Sequence, residues 1–171
     1  MSGADGAQAV PAAPRRFHGP RAAATMGSVV MNREMGTHAD SAWPPHTARQ
    51  VRLTCIDDRL TSAVFARQHG AAFEVRLAGG ALALTDDRQE FALKELLVPA
   101  ALGPLDTVFL EVHLACGAVS LAGHHFEQRD AERAFLAAVL DEAVRVVHRA
   151  APSLTVHTRL VAPTGDALPV R

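Results

Sequence analysis

The sequence has no tyrosine, a single tryptophan and only two cysteines among its 171 residues. So little aromatic surface leaves almost nothing on which nucleic-acid bases could stack. Two cysteines are too few to staple a small secreted scaffold. Neither charge sign dominates: 17 Lys and Arg face 18 Asp and Glu, for a net charge of -1. That balance gives no electrostatic reason to expect DNA, RNA or an anionic membrane as partner. No run approaches the roughly 18 uninterrupted apolar residues of a membrane-spanning helix. What remains is a chain with 49% hydrophobic and 20% charged residues, long enough for one core and too short for two large ones. Composition therefore predicts one soluble, cytoplasmic domain.

Residues 1–49 read differently from the rest. Pro11, Pro14, Pro20, Pro44 and Pro45 are scattered among Gly and Ala, with no sustained period of two or 3.6. Such a stretch cannot bury enough apolar surface to offset the entropy of ordering it, so residues 1–49 are expected to be a largely disordered extension. No apolar core of a secretory signal follows the early arginines. A start placed too early, upstream of Met26, Met31 or Met35, accounts for the segment as well as a transit peptide does. Trp43, nearest the folded part, is the residue best able to pack on a partner subunit.

From residue 50 to 171 the pattern changes to alternating strands and helices. Val51–Cys55 is a short strand candidate that runs into Asp57-Asp58-Arg59, with a short helix over Thr61–Gln68 stopped by Gly70. Phe73–Leu77 alternates as a strand does. Thr85 is placed to cap a helix opening on Asp86 and Asp87, which Pro99 should end or kink. Thr107–Leu114 is a strand rich in Val, Leu and Phe. Asp130–Arg149 is a long amphipathic helix, Leu154–Val161 a further strand, and Pro163–Asp166 a turn into a short tail. This order predicts an α/β domain with a mainly parallel sheet flanked by helices, whose functional groups gather beyond the carboxyl ends of the strands.

That rule selects particular residues. Cys55 ends the first strand, and His113 and Cys116 end the third. Two thiolates and an imidazole suit Zn2+, and three protein ligands with one position left over is the catalytic arrangement. Asp57, two residues after Cys55, can occupy or guard the fourth position, and Arg59 can pair with Asp57 and orient it. Spacing alone leaves open a different reading, in which both cysteines are ordinary buried thiols.

Here the residues resemble a known family. Cys55-Ile-Asp57-Asp-Arg59 resembles the C-x-D-x-R motif of the β-class carbonic anhydrases, and His113-Leu-Ala-Cys116-Gly117 resembles their H-x-x-C-G. Between them, Gly70 to Gly79 resembles the segment of that family ending in R-N-A-G. The resemblance implies a zinc held by Cys55, His113 and Cys116, in a fold that is usually a homodimer or a multiple of dimers. It implies that Asp57 and Arg59 form a dyad beside the metal. The aspartate is either a fourth ligand or, paired with the arginine, the acceptor of a hydrogen bond from zinc-bound water or hydroxide. The implied activity is reversible hydration of carbon dioxide to bicarbonate. His69, His124 and His125 are candidate proton shuttles by side-chain type alone, with nothing in the sequence to place them near the zinc.

The departures from the family pattern are specific. Leu77 replaces the polar residue of R-N-A-G, Ala71 the acidic residue after the glycine, and Ala115 an aspartate that many members carry. Glu74 and Glu111 fall inside strands that should be buried, which is costly unless they are paired. Either carboxylate is expected to pair with Arg76 or another arginine. The competing expectation puts Glu111, on the strand face of His113, behind the zinc site. These departures keep two alternatives in view: a zinc protein of this fold without catalysis, and a hydrolase of carbonyl sulfide or carbon disulfide. A redox pair of Cys55 and Cys116 fits poorly with His113 and Asp57 in their positions.

Overall fold

The computed structural model of the chain describes residues 47–170. The expectation of a disordered extension over residues 1–49 lies outside the described residues, except for 47–49. There Arg49 is already anchored: its guanidinium bonds the Asp106 carboxylate at 2.7 Å, and its carbonyl accepts the Asp106 and Thr107 N–H groups.

Five strands form one sheet. In chain order they are β1 (Gln50–Thr54), β2 (Phe73–Arg76), β3 (Thr107–His113), β4 (Thr155–Val161) and β5 (Ala167–Leu168). Their spatial order is β2-β1-β3-β4-β5, parallel throughout except for β5, which runs antiparallel to β4. The helices between them are α1 (Ser62–His69), α2 (Gln89–Leu102), α3 (Gly117–Leu121) and α4 (Arg129–Ala150), with a 3-10 turn over Gly80–Leu84. This is the predicted α/β domain with a mainly parallel sheet. The chain leaves β1 toward β2 on one side and reaches β4 from β3 on the other. The direction of winding therefore reverses between β1 and β3, which is where such sheets open a crevice.

Strand alternation divides the residues between two faces. Val51, Leu53, Val108, Leu110 and Val112 enter the main core with Ala92 and Leu96 of α2, with Leu136, Leu140, Ala143 and Val147 of α4, and with residues 81–84 of the 3-10 turn. The opposite face carries Arg52, Phe109, Glu111 and Arg159, on which Phe65 of α1 is seated. Phe65 meets Phe109 edge-on at 4.9 Å and lies under the Arg52 guanidinium at 4.7 Å.

Several sequence expectations need correction. Thr85 does not cap α2: its hydroxyl bonds back to the Leu82 carbonyl and closes the 3-10 turn, and α2 starts at Gln89. Asp86 instead accepts the Arg88 N–H, outside the helix. Pro99 does not end α2, which continues to Leu102. A proline three residues from a helix end removes a single backbone bond, and its buried ring is retained in the packing. The tail after residue 166 is not featureless, since Ala167 and Leu168 pair with β4. Among the described residues no helix is long and apolar enough to cross a membrane.

Candidate metal centre

β1 and β3 are neighbours, with Leu53 beside Leu110, so their carboxyl ends deliver Cys55 and His113 to one place. Cys116 follows through a tight loop in which Ala115 adopts a left-handed φ of 55°. An alanine pays for that conformation with strain. The loop is held by α4, because the Ala115 N–H donates to the Glu132 carboxylate at 2.7 Å. Glu132 has no counterpart in the motifs, and only its place in the first turn of the long helix hinted at a role.

The structure brings Cys55, His113 and Cys116 together as a buried cluster whose candidate ligand atoms all lie within 4.8 Å of one another. The two sulfurs are 3.9 Å apart, close to the roughly 3.8 Å spanned by two thiolates on a tetrahedral zinc with bonds near 2.3 Å. Nδ1 of His113 lies 3.0 Å from the Leu114 carbonyl. A carbonyl can only accept, so Nδ1 carries the proton and Nε2 keeps its lone pair. Nε2 is buried with no hydrogen-bond partner. A buried, orphaned imidazole nitrogen whose other nitrogen is held by a carbonyl is the arrangement of a metal ligand. The donor set therefore fits a divalent metal ion.

Electrostatics point the same way. The Cys55 thiol is pulled well down, first by the hydrogen bond from Cys116 and against the cost of burial, with help from His113 and the Asp57 and Gly79 N–H groups. The Gly79 N–H stands 3.2 Å from the Cys55 sulfur. Cys116 is pushed up by that same bond to Cys55, by burial and by the neighbouring charge. The two thiols are thus driven in opposite directions by their contact. Burial lowers His113, but the Cys55 sulfur and the Leu114 carbonyl outweigh it and the net direction is upward. A bound dication would favour the thiolate form of both.

Asp57 lies at the rim. Its Oδ2 is 3.8 Å from Nε2 of His113, and both oxygens face Arg59, with Nε to Oδ1 at 2.8 Å and Nη2 to Oδ2 at 2.6 Å. The Arg59 side chain, against a desolvation cost, keeps Asp57 well below the usual carboxylate range. The glycine pair after Arg76 has a steric reason. Gly80 has φ +58°, and a Cβ there would stand 2.3 Å from the Glu111 carbonyl oxygen. Only glycine lets the 3-10 turn approach the ends of β1 and β3 so closely.

Glu111 does not stand behind the metal centre. It is fully buried, and its two oxygens are taken by guanidiniums: Arg52 at 2.7 Å and Arg159 at 2.5 Å. Arg52 also bonds Glu74 at 2.9 Å. The pairing expectation holds, with Arg52 and Arg159 as the main partners in place of Arg76. Of the possible shuttles, His69 packs at a tilt against Phe65 and Phe109, His124 packs at a tilt against Phe135, and His125 is exposed. Arg52 and Arg159 were missed by sequence reasoning. Their only signal was a charged residue inside a strand, at positions that pair with Glu74 and Glu111.

No protein-family model and no curated protein matches the sequence. Solved structures do. Carbonic anhydrase from Streptococcus mutans aligns over 78% of this chain and 89% of its own, at 19% identity and a TM-score of 0.51. The β-carbonic anhydrase CcaA aligns over 73% of this chain and 80% of its own, at 15% identity and a TM-score of 0.50. Carbonic anhydrase from Glaciozyma antarctica aligns over 78% and 88%, at 21% identity and a TM-score of 0.47. With its strand order and its likeness to the first two of these structures, the chain has the fold of the β-class carbonic anhydrases.

Proposed function

We propose that the chain is a zinc-dependent enzyme that interconverts carbon dioxide and bicarbonate, with Cys55, His113 and Cys116 as metal ligands and Asp57 and Arg59 as the catalytic dyad. The observation that carries this reading is an orphaned, buried Nε2 of His113 that faces two thiols and lies 3.8 Å from a carboxylate fixed by its own arginine. A structural metal site has no use for that dyad. Zinc at this position would supply the Lewis acidity that makes water a nucleophile at neutral pH.

The chain's residues set the direction of attack. Asp57 is held so far below the usual carboxylate range that it accepts a hydrogen bond without taking the proton. It therefore orients the attacking oxygen and leaves the lone pair aimed at carbon. Arg59 fixes the carboxylate plane by two parallel bonds, the geometry for which a guanidinium is suited. Buried walls around His113, Leu114 and Cys116 limit competing water at the ligand side.

We further propose a homodimer in the cytoplasm. Phe91, Val98 and Leu102 recur at helical spacing on α2 and remain exposed, an apolar stripe that a second copy would cover. Cys55 and Cys116 form no disulfide, as two ligands of one metal require. The deciding experiment is stopped-flow hydration of carbon dioxide on protein with its zinc content measured. Rapid turnover at one zinc per chain supports the reading. Full zinc with no turnover would overturn it and put carbonyl sulfide, carbon disulfide or a non-catalytic role in its place.

A further inference from the structure

Asp57 is held twice. Its carboxylate is fixed by Arg59, but its main chain is fixed from the neighbouring strand. Arg76, the last residue of β2, donates from Nη2 to the Asp57 carbonyl at 2.9 Å and from Nη1 to the Leu60 carbonyl at 3.1 Å. Those two carbonyls bracket the turn that carries Asp57, Asp58 and Arg59, a turn closed on its own side by the Leu60 N–H on the Asp57 carbonyl at 3.1 Å and the Arg59 N–H on Asp57 Oδ1 at 3.0 Å. The guanidinium is itself seated. Glu74, two residues earlier on the same strand face, stands 3.6 Å from it and is fixed by Arg52 at 2.9 Å and by the Ser62 hydroxyl at 2.6 Å. Arg52 in turn is rooted in the fully buried Glu111. A chain of charged contacts, hydrogen bonds throughout except for the 3.6 Å ion pair of Glu74 with Arg76, thus runs from the middle of β3 to the main chain of the dyad.

We propose that Arg76 is a positioning residue for the dyad: it clamps the Asp57–Leu60 turn and so sets where the Asp57 carboxylate stands relative to His113 Nε2. The proposal rests on the reading of function above for its catalytic half and on geometry alone for its structural half. A planar, forked donor bridging two carbonyls suits this task, whereas a lysine presents a point charge and can satisfy them only poorly. Removal of Arg76 leaves no buried charge stranded, because Glu74 keeps both Arg52 and Ser62. The Arg76→Met variant is therefore expected to fold.

The test compares wild type, Arg76→Met and Arg76→Lys as zinc-loaded full-length chains, by amide hydrogen exchange and by hydration kinetics. In Arg76→Met, exchange over residues 57–61 should rise about tenfold or more while α4 keeps its protection. Zinc per chain should stay unchanged. The kcat should fall about 10- to 100-fold with little change in KM, since a misplacement on the ångström scale costs that much. Arg76→Lys should recover part of both effects. Unchanged exchange over 57–61 would overturn the clamp. Raised exchange with wild-type kcat would overturn the positioning role. A wild type that shows the exchange difference against Arg76→Met but hydrates no carbon dioxide would refute the functional reading while supporting the clamp.

Discussion

Replacement of Glu111 by glutamine keeps the shape of the side chain and removes one buried negative charge. The consequences differ for its two partners. Arg52 retains Glu74 at 2.9 Å. Arg159, only 8% exposed, is left with the neutral Gln68 amide oxygen and no carboxylate. An uncompensated buried charge of this kind costs about 3–5 kcal/mol, a large share of the roughly 5–15 kcal/mol by which domains are stable. Arg159→Met removes the other end of the ladder and leaves Glu111 bonded to Arg52, so it should cost less, about 1–3 kcal/mol. The measurement is urea unfolding of zinc-saturated protein, with metal held constant so that its linkage to folding cancels. At an m-value near 2 kcal/mol/M, Glu111→Gln should lower the midpoint by about 2 M. A loss below about 1 kcal/mol, or a larger loss in Arg159→Met than in Glu111→Gln, would refute the view that this carboxylate exists to neutralise two buried arginines.

Other expectations follow from the same geometry. Gly80→Ala places a Cβ 2.3 Å from the Glu111 carbonyl at φ +58° and should cost about 3 kcal/mol or more in thermal or urea unfolding. Gly117→Ala, which meets nothing within 4 Å, is the matched control and should be near neutral. Alanine at Cys55, His113 or Cys116 should abolish stoichiometric zinc and lower the melting temperature, and calorimetry in buffers of different ionisation heat should show at least one proton released per zinc bound to wild type. Full zinc in all three variants would refute the ligand set. Burial raises Glu74, but Ser62 and Arg52 prevail and its pKa is lowered from 4.5. A carboxyl depressed by folding contributes stability that is full above its unfolded pKa and is lost as pH falls through the folded one. Unfolding midpoints should therefore drop below about pH 4.5 in wild type, and Glu74→Gln should flatten that slope.

What the sequence disclosed and what it hid have physical reasons. The meeting of Cys55, His113 and Cys116 was legible because they sit at strand ends, where alternation and the rule of the carboxyl edge act together, and because their motifs resemble those of a known family. The long helix α4 was legible because its apolar residues repeat at helical spacing. The 3-10 turn over Gly80–Leu84 was not, since five small and apolar residues have no period and are placed only by the close approach at Gly80. Thr85 looked like a cap because nothing local shows that its hydroxyl would turn back to Leu82. Glu111 could be marked as needing a partner, but the choice of Arg52 and Arg159 depends on strand order, which brings together residues 59 and 48 positions apart.

If Cys55 and Cys116 hold a metal as proposed, their separation along the chain bears on the order of folding and metallation. Cys55 and Cys116 lie 61 positions apart, and nothing local holds them near one another in the unfolded chain. A bond between them through a shared ion closes a loop whose entropy is worth about 4 kcal/mol by the chain-entropy estimate for crosslinks. The unfolded polypeptide must supply that entropy before the ion can be gripped, whereas pairing of β1 with β3 supplies it in advance. Metal capture by the nascent chain should thus wait until residues well past Cys116 have been synthesised, and escape of the ion from the finished protein should require those two central strands to part.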